Sequence, residues 1–446
     1  MNLFKKAQPY KKLYVFLNHA LAACCVPLER ILRTFENPTY PKPKTMNFRL
    51  KPAVVFTLLV VLGITFHNFT LPPQPGPAKP SPAPDLPTTM VLNTDRYGKV
   101  HNAQLHDDVF AQTDWKELGF PKFDEELEIA LKNQLRVLEN SKFKDGQKVG
   151  NLRVTYGQLK ETIEILLQRV KEDPGALSQY LNAYQAWGGD KKGNTYFTGY
   201  FTPVMEVSSV PTKKYKYPIY AYPKELAEEG KLPTRAEIDG EGVLKGMGLE
   251  LAYASNPLDI YIMQLQGSGY VKFVDTGAQK LFRYAGENRH PYRNIQRFFR
   301  NRDDISIGNL SLSGINRYLN QFPEMIDSVL FFNPSYTFFT PSTGLVKGAG
   351  MVPLMEGISV AADDRYFPLG SVLLAAFPVV ENGIVKRHEF KVLLPQDVGG
   401  AIRGAGHLDV YCGIGKEGQR KASSLHHYGQ VWLLLPKDDT AVALNE

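Results

Sequence analysis

Two aspartates in a glycine-rich stretch near the end of the chain are the residues best suited to acid–base chemistry. Asp397 and Asp409 both flank turns made by glycines, which permit close backbone approach and positive φ. A carboxyl held against Tyr411 and aliphatic neighbours would be less stable in its ionised form, so its pKa would rise and either aspartate could act as a general acid. An aspartate that precedes two glycines is also a common turn former, and this alternative stays open for Asp397.

The histidines and the last cysteine do not form a recognisable site in the sequence. His407 and Asp409 make a pair without a third metal ligand at useful spacing, and His426 and His427 are adjacent, so they are expected on opposite faces of a strand. No metal site is therefore predicted, and the histidines are expected to be solvated or structural. Cys412 is expected to be buried. Since no phosphate-binding glycine loop, serine elbow or dinucleotide fingerprint occurs, no cofactor is predicted.

Short runs of β-forming residues, broken by Gly, Pro, Asn and Asp, dominate the chain beyond Gly193. This pattern of short strands separated by turn residues is typical of β-barrels or β-sandwiches. Strands are predicted at residues 195–202, 215–222, 260–265, 269–274, 329–339, 371–377, 390–394 and 431–435.

Three helices are predicted ahead of these strands. Leucines recur at one-face spacing over residues 127–138, and Thr155 with Gln158 has the form of a capping box at the start of a second helix. Asp173, followed by a proline, offers a cap for a third helix, which is expected to continue through Trp187.

The net charge of +7 is concentrated at the start of the chain. Residues 1–51 contain ten Lys or Arg and two Glu, whereas the remaining 395 residues contain 42 basic and 43 acidic side chains. Binding to a polyphosphate would need a basic face in the folded body. Nucleic acid is therefore not expected as a partner.

An apolar run follows the basic leader, residues 1–52. Counted over residues 53–71 it can span a bilayer, whereas residues 53–66 have the length of a signal-peptide core. Basic residues before the run imply a cytoplasmic N-terminus and a translocated body. We expect an uncleaved inner-membrane anchor at 53–71 rather than a cleaved signal, followed by a stiff proline-rich spacer at 72–89.

Two features leave the start of the chain open to other interpretations. Met46 could itself begin a conventional leader, so the residues up to 45 could be an upstream extension. The sequence Leu-Ala-Ala that precedes Cys24 has the form of a lipoprotein box, but the stretch before it is short and interrupted by polar residues. Lipid anchoring at Cys24 is therefore the less favoured alternative.

The chain resembles the membrane-bound lytic murein transglycosylase A family, bacterial enzymes that cut the glycan strands of peptidoglycan. The resemblance spans about residues 100–436, and its segments occur in the order typical of the family. The matching segments are YFTGYFTPV at 196–204, MQLQGSG at 263–269, Tyr292-Arg293, NPSY at 333–336, VKG at 346–348, VPL at 352–354, SVAAD at 359–363, QDVGGAI at 396–402, DVYCGIG at 409–415 and HYGQVW at 427–432.

The resemblance implies a mainly β fold with a helical N-terminal part. Residues 90–202 and 345–446 would form a six-stranded double-psi β-barrel, and residues 203–344 an inserted second β-rich domain, with a groove for the glycan between them. It also implies a single catalytic acid at Asp409 and a supporting carboxylate at Asp397. Neutral polar side chains are predicted to bind sugar hydroxyls and N-acetyl groups: Thr198, Thr202, Gln266 and Ser268.

The sequence departs from the family pattern at two places near this groove. Arg289 lies in a loop where the family commonly has a glycine after the asparagine, and Gln264 stands where an acidic residue is often found. Both departures concern the recognition of individual sugars rather than the reaction.

The implied reaction cleaves the β-1,4 bond between N-acetylmuramic acid and N-acetylglucosamine without water and leaves a 1,6-anhydro sugar. Two alternatives remain: an inverting hydrolase in which Asp397 and Asp409 both act, and a barrel that binds polysaccharide without cleaving it. The expected partner is the glycan strand of peptidoglycan, which a monomer would meet in the cell envelope or periplasm.

Overall fold

The computed structural model describes residues 88–90, 92, 109–120, 123–140, 147–169, 177–188, 192–230, 232–300, 302 and 310–437. The chain divides into two units after Pro80, and all of these residues belong to the second unit. The predicted leader and apolar run, together with most of the spacer, lie outside the described residues. Within the described ranges, no helix has both the length and the apolar character needed to cross a bilayer.

The larger of the two main sheets contains nine strands. These are β1 (Thr89–Met90), β2 (Phe110–Thr113), β5 (Leu181–Ala186), β6 (Thr195–Thr202), β13 (Ser359–Ala362), β14 (Leu373–Glu381), β15 (Ile384–Val398), β16 (His407–Ile414) and β17 (His426–Pro436). Strands β15, β13, β16, β6 and β17 are neighbours in that order, and β14 pairs with both β17 and β15. This pairing closes a ring of six strands.

The smaller sheet contains six strands, in the order β12, β11, β10, β7, β9, β8. Their bounds are β7 (Val204–Ser208), β8 (Tyr217–Tyr220), β9 (Glu250–Ala254), β10 (Ser268–Phe273), β11 (Gln279–Glu287) and β12 (Thr337–Ser342). A separate hairpin consists of β3 (Gln147–Val149) and β4 (Leu152–Val154). Only Pro203 separates β6 from β7, so the two main sheets share one nearly continuous stretch of chain.

Helices cover the ring and link the strands of the smaller sheet. They are α1 (Glu125–Asn140), α2 (Tyr156–Arg169), α3 (Leu177–Tyr180), α4 (Lys224–Glu229), α5 (Pro257–Gln266), α6 (Gln296–Phe299), α7 (Leu312–Gln321), α8 (Ile326–Phe331) and α9 (Gly415–Ser424). Single turns of 3₁₀-helix lie at Trp115–Glu117 and Pro323–Met325, and a π-helix lies at Ala236–Glu241. The fold is therefore mainly β with several helices.

Two of the three predicted N-terminal helices are present, and the caps explain where they begin. The Asp124 carboxylate accepts from the backbone N–H of Leu127 at the start of α1, at 2.9 Å. At the start of α2 the Gln158 side chain accepts from the Thr155 N–H at 2.9 Å, and the Thr155 hydroxyl accepts from the Gln158 N–H at 3.1 Å. This reciprocal pair is a capping box, as predicted.

The prediction of a third helix through Trp187 is wrong. Helix α3 ends at Tyr180, and the chain continues as strand β5, which lies between β17 and β2. Leu181, Ala183 and Ala186 are buried in this strand. These buried residues are two and three residues apart, so their spacing alone does not distinguish a strand from a helix. Pairing with two neighbouring strands decides in favour of the strand. Asp173 lies outside the described residues.

Two predicted strands also differ from the structure. Residues 260–265 lie in helix α5, because Asn256 caps it with a 3.0 Å contact to the Leu258 N–H and Pro257 takes the first helical position. A short, mostly apolar run does not distinguish a buried strand from a buried helix, and here the cap decides. Residues 329–339 split into the end of α8 and the start of β12.

The core of the ring is apolar on both sides of β14 and β17. All four residues 373–376 of β14 are fully buried, as are Val431, Leu433 and Leu434 of β17. A run buried on both faces indicates a strand that is covered inside and outside. Helices α1 and α2 supply the outer cover.

Helix α9 packs so closely on β6 that Gly199 has no room for a side chain. A Cβ atom there would lie 2.7 Å from the Ala422 Cα and 2.8 Å from the Cys412 Sγ. We expect Gly199→Ala to lower the free energy of unfolding by about 1–3 kcal/mol, because helix α9 must move away from the strand.

Chemical denaturation of the purified protein measures this loss. Gly157→Ala is the matched control, since the nearest atom to its added Cβ is the Thr155 Oγ1 at 3.8 Å. Equal stabilities of the two variants would contradict the close approach of α9.

Candidate active site

The parallel neighbours β6 and β16 carry a row of polar side chains on one face of the ring. Thr198 pairs with Asp409, and Tyr200 pairs with Tyr411. Because side chains alternate along a strand, every second residue shares this face: Thr198, Tyr200 and Thr202 on β6, and His407, Asp409 and Tyr411 on β16. The residues between them face the apolar core: Phe197, Phe201, Leu408, Val410 and Cys412.

Asp409 is held through one carboxylate oxygen. Its Oδ1 accepts a hydrogen bond from the Thr198 hydroxyl at 2.7 Å, and the same hydroxyl lies 2.8 Å from the Nε2 of His407. Burial, and to a smaller extent the charge of Asp397, raise the pKa of Asp409 to about 6 against the opposing effect of the Thr198 hydrogen bond. The carboxyl can therefore hold a proton in mildly acidic solution.

The contact of His407 with Thr198 was not predicted from the sequence. Burial lowers the pKa of its imidazole to about 4, so the ring is neutral at neutral pH. Its position two residues before Asp409 on a strand is the signal that could have identified it, since residues i and i+2 share a face. In the sequence, the spacing of His407 and Asp409 was interpreted only in terms of metal binding.

Asp397 lies at the end of β15, on the other side of β13 from Asp409. Ala361 of β13 pairs with both aspartates, so their backbones are about 9.6 Å apart, twice the strand spacing of about 4.8 Å. Ala361, between them, is buried in the same apolar cluster as Tyr200 and Tyr411. The two carboxylates that the sequence singled out are thus brought to one face of the ring.

Both oxygens of Asp397 accept hydrogen bonds from the protein. Oδ1 accepts from the backbone N–H groups of Ala349 and Val398, each at 2.9 Å, and Oδ2 accepts from the Tyr200 hydroxyl at 3.1 Å. Burial raises the pKa of Asp397, and these three donors lower it. The contact with Val398 is local, one residue along the chain, and the other two contacts tie the carboxylate to a neighbouring loop and to β6.

The four predicted sugar-binding residues occupy different environments. Thr198 contacts Asp409, whereas the hydroxyl of Thr202 lies 2.9 Å from that of Tyr411 and the residue is only 3% exposed. Gln266 ends α5, and its side-chain oxygen accepts from the Phe201 N–H at 2.8 Å. Ser268 is half-buried at the start of β10. Thr198 and Asp409 are therefore in direct contact, whereas the other three lie further along β6, at the end of α5 and at the start of β10.

The smaller sheet borders the site. The rings of Tyr200 and Tyr411 pack at 5.3 Å between centroids, and they share a small apolar cluster with Leu281 of β11 and Val346. Tyr270 of β10 packs against the same cluster. The face that carries Asp409 therefore lies where the two sheets meet.

The remaining expectations about single residues have mixed outcomes. Cys412 is buried as predicted, and burial raises its pKa to about 12. The side chains of His426 and His427 do not diverge to opposite faces as expected, because their rings stack at 4.6 Å between centroids. Among the described residues, no three His, Cys, Asp or Glu side chains cluster as metal ligands would. The absence of a metal requirement stays a prediction.

Both departures from the family pattern have a structural counterpart. Arg289 adopts a φ of 60°, in the left-handed region that glycine occupies at little cost. This conformation explains why a glycine is common there. Gln264 is buried in α5, and its amide nitrogen donates to the Thr337 carbonyl at 3.1 Å. It joins α5 to β12 and does not reach Asp409.

Two family models match this chain. The MltA specific insert domain matches residues 196–340, which cover the smaller sheet, and the 3D domain matches residues 358–435, which carry Asp397 and Asp409. The chain therefore belongs to the class of proteins that combine a 3D domain with this insert.

The curated relatives specify the family. The chain is 39% identical over 287 residues to the membrane-bound lytic murein transglycosylase A of Vibrio cholerae, which covers 63% of this chain and 75% of the relative. It is 37% identical over 290 residues to the Escherichia coli K12 protein of the same name, covering 64% and 76%. The chain belongs to the membrane-bound lytic murein transglycosylase A family.

Solved structures agree with this assignment. The crystal structure of Escherichia coli MltA with bound chitohexaose has a TM-score of 0.62 at 30% identity, and the match covers 76% of this chain and 99% of that one. A membrane-bound lytic murein transglycosylase from Agrobacterium tumefaciens also has a TM-score of 0.62, at 25% identity, with 75% and 99% covered.

The elevated pKa of Asp409 has a consequence for stability. A carboxyl whose pKa rises from 3.8 to about 6 on folding lowers the free energy of unfolding by up to about 3 kcal/mol when it is ionised in both states, above pH 7. This penalty shrinks as pH falls through 6 and nearly vanishes below 4. We expect Asp409→Asn to be more stable than the wild type at pH 7.5, with the difference shrinking toward pH 4.

Denaturant titrations at four or five pH values across this range test the expectation. Asp364→Asn is the control at an exposed aspartate. A stability difference for Asp409→Asn that does not change with pH would mean that Asp409 does not have the raised pKa.

Proposed function

We propose that this protein is a lytic transglycosylase that cleaves the β-1,4 bond between N-acetylmuramic acid and N-acetylglucosamine in peptidoglycan and leaves 1,6-anhydromuramic ends. The observation that carries the proposal is the half-buried carboxyl of Asp409, whose pKa is raised and which has one oxygen bound by Thr198 and the other without a donor among the described residues. Two further facts support it. The curated relatives are named lytic murein transglycosylases, and an Escherichia coli relative crystallised with chitohexaose.

One carboxyl suffices for this reaction. Protonated Asp409 gives its proton to the glycosidic oxygen as the bond to C1 of the muramic acid residue breaks. The Asp409 carboxylate then takes the proton from the C6 hydroxyl of the same sugar, whose oxygen bonds to C1. Acid and base are the same group in turn, no water is consumed, and Asp409 ends protonated for the next cycle.

Asp397 has the contacts of a supporting carboxylate. In an inverting hydrolase the second carboxylate must present a free oxygen to a water molecule. Three donors already take both acceptor positions of Asp397 Oδ1 and one of the two on Oδ2, where the donor is Tyr200 on β6, so a water molecule would have to share Oδ2 with that phenol. We assign Asp397 the role of holding Tyr200 and the loop at Ala349 in place beside Asp409.

The predicted sugar-binding residues divide into two groups. Ser268 is half-exposed and can meet a sugar hydroxyl directly, and the amide nitrogen of Gln266 can donate to an N-acetyl oxygen while its carbonyl oxygen stays on Phe201. Thr202 is buried against Tyr411 and would act by orienting that phenol. Thr198 would serve Asp409 and the sugar next to it.

The six-stranded ring would be the double-psi barrel, built from residues 90–202 and 345–446, with residues 203–344 as the inserted domain. The family models support this division, because the insert domain matches residues 196–340. The glycan would lie between the two sheets, across the face that carries Asp409. Tyr270 and Leu281 of the smaller sheet already border that face.

The enzyme would act in the cell envelope, as a monomer held by residues 53–71 in the inner membrane. The basic leader ahead of this apolar run supports the orientation. A cleaved signal and a lipid anchor at Cys24 are the competing arrangements. The spacer at 72–89 would keep the body at a distance from the membrane.

The two aspartates separate the single-acid reaction from two-carboxylate hydrolysis. Asp409→Asn keeps size and hydrogen bonding but removes the transferable proton, so we expect a loss of turnover of about 100- to 10,000-fold with glycan binding retained. Asp397→Asn should keep measurable turnover and the same anhydro product, because the amide oxygen can still accept from two of its three donors.

Mass spectrometry of digested sacculi measures both outcomes, since an anhydro end and a reducing end differ by the mass of one water. Binding to sacculi serves as the control for folding. If Asp397→Asn is folded and as inactive as Asp409→Asn, or if the wild type releases reducing ends, the inverting hydrolase replaces this proposal. Intact glycan strands would favour the binding barrel.

The proposed anchor predicts where the body lies. We expect a protease added to spheroplasts to digest the body, residues 90–446, because residues 53–71 would hold it on the outer side of the inner membrane. A cytoplasmic protein in the same sample must stay intact as the control. Protection of the whole chain would overturn this topology.

A further inference from the structure

The histidine beside the proposed acid has a hydrogen-bond geometry that the reaction scheme above does not use. The Thr198 hydroxyl lies 2.8 Å from His407 Nε2 and 2.7 Å from Asp409 Oδ1. His407 and Asp409 share a face of β16, and Thr198 stands opposite Asp409 on β6. The three side chains form a short hydrogen-bonded chain that ends on the acid.

A count of protons limits how this chain can be arranged. A hydroxyl has one proton and cannot donate to both neighbours. If Thr198 donates to Asp409 Oδ1, its oxygen must accept, and Nε2 of His407 must carry a proton. If Nε2 carries no proton, the Thr198 hydroxyl must donate to it. The contact between Thr198 and Asp409 Oδ1 then needs a proton from the acid, so the carboxyl proton must lie on Oδ1 and point at Thr198.

The two arrangements place the catalytic proton on different oxygens. Among the contacts of the described residues, Oδ1 is the only Asp409 oxygen with a donor, and Oδ2 is left for the substrate. A proton on Oδ1 would point into the protein, whereas a proton on Oδ2 would be available to the glycosidic oxygen. The tautomer of His407 therefore decides whether the carboxyl proton of Asp409 is on the oxygen that faces the substrate.

We propose that His407 is a positioning residue: its Nε2–H donates to Thr198, whose hydroxyl donates to Asp409 Oδ1, so that the transferable proton is confined to Oδ2. This inference rests on the proposed function of Asp409 as the acid. The same arrangement suits the second half of the reaction, because Oδ1 keeps its donor while the ionised Oδ2 receives the C6 hydroxyl proton. The hydrogen-bond chain need not reorganise during the cycle.

The surroundings of His407 favour a neutral ring with one N–H. Burial keeps its pKa near 4, and the ring of Tyr196 lies 5.6 Å from it between centroids. Outside the hydrogen-bonded chain of His407, Thr198 and Asp409, three titratable groups interact with the charge of Asp409: Asp397, Tyr200 and Cys412. No hydrogen bond joins any of these three to Thr198 in the described part of the molecule, so His407 is the titratable neighbour that can donate to the Thr198 hydroxyl.

The first test is the tautomer in the resting protein. Selective ¹⁵N labelling of histidine distinguishes protonated from bare ring nitrogens by NMR, and the His407 signals are assigned from their loss in His407→Gln. We expect a neutral ring with the proton on Nε2 from pH 5 to pH 8. A bare Nε2, or a charged ring in this range, overturns the proposal whether or not the enzyme proves to be a transglycosylase.

The second test is kinetic. His407→Leu removes the donor, and we expect kcat to fall about 10- to 100-fold with KM unchanged, because the acid proton is no longer held on Oδ2. His407→Gln can place an amide N–H where Nε2 was, and Thr198→Ser keeps the hydroxyl, so both should restore most of kcat. Thr198→Val should be as slow as His407→Leu.

Controls separate this role from a structural one. His427→Leu, at a histidine on β17 outside the chain of hydrogen bonds, should keep the wild-type kcat, and denaturant titration must show each variant to be folded. The pH profile of kcat/KM should keep its decline near pH 6 in His407→Gln. A folded His407→Leu with wild-type kcat, or a folded His407→Gln as slow as His407→Leu, overturns the inference. If the wild type yields no anhydro product, the proposed function fails instead.

Discussion

The parallel pairing of β6 with β16 is the constraint on which the site depends. In this register Thr198 stands opposite Asp409 and Tyr200 opposite Tyr411, and the alternation of side chains sends the polar members to one face and the apolar members to the core. A slip by one residue would bury both the acid and its donor in hydrocarbon. The close contact of α9 at Gly199 and the closed ring of strands both resist such a slip.

The two aspartates show how one sheet produces two different carboxylates. Both pair with Ala361 and both are partly removed from water, yet Asp397 accepts three hydrogen bonds and Asp409 accepts one. A carboxylate with several donors is stabilised in its charged form, whereas one with few donors retains its proton more readily. Burial raises the pKa of both carboxyls, and the three donors of Asp397 oppose this rise more than the one donor of Asp409 does, which is the basis of the two different roles proposed for them.

The sequence predicts the candidate acid–base residues better than it predicts the helices and strands around them. The glycine-rich stretch pointed to Asp397 and Asp409 because acid–base candidates are few and their type is visible in the residue itself. The capping box at Thr155 was also predictable, since both partners lie within one turn. Helix α5 and strand β5 were not, because short apolar runs suit either structure and distant pairing or a cap decides between them. The contact of His407 was not predictable either, because its partner Thr198 is 209 residues away in the chain.

The single proline between β6 and β7 limits how the two sheets can move. Pro203 has a fixed φ, and its carbonyl accepts from the Tyr270 N–H at 2.8 Å, so this crossing has little freedom to act as a hinge. Any opening of the smaller sheet away from the ring must be absorbed by the return crossing after β12. The strand that holds Thr198 and its crossing to the smaller sheet would therefore keep their geometry if the angle between the two sheets changed.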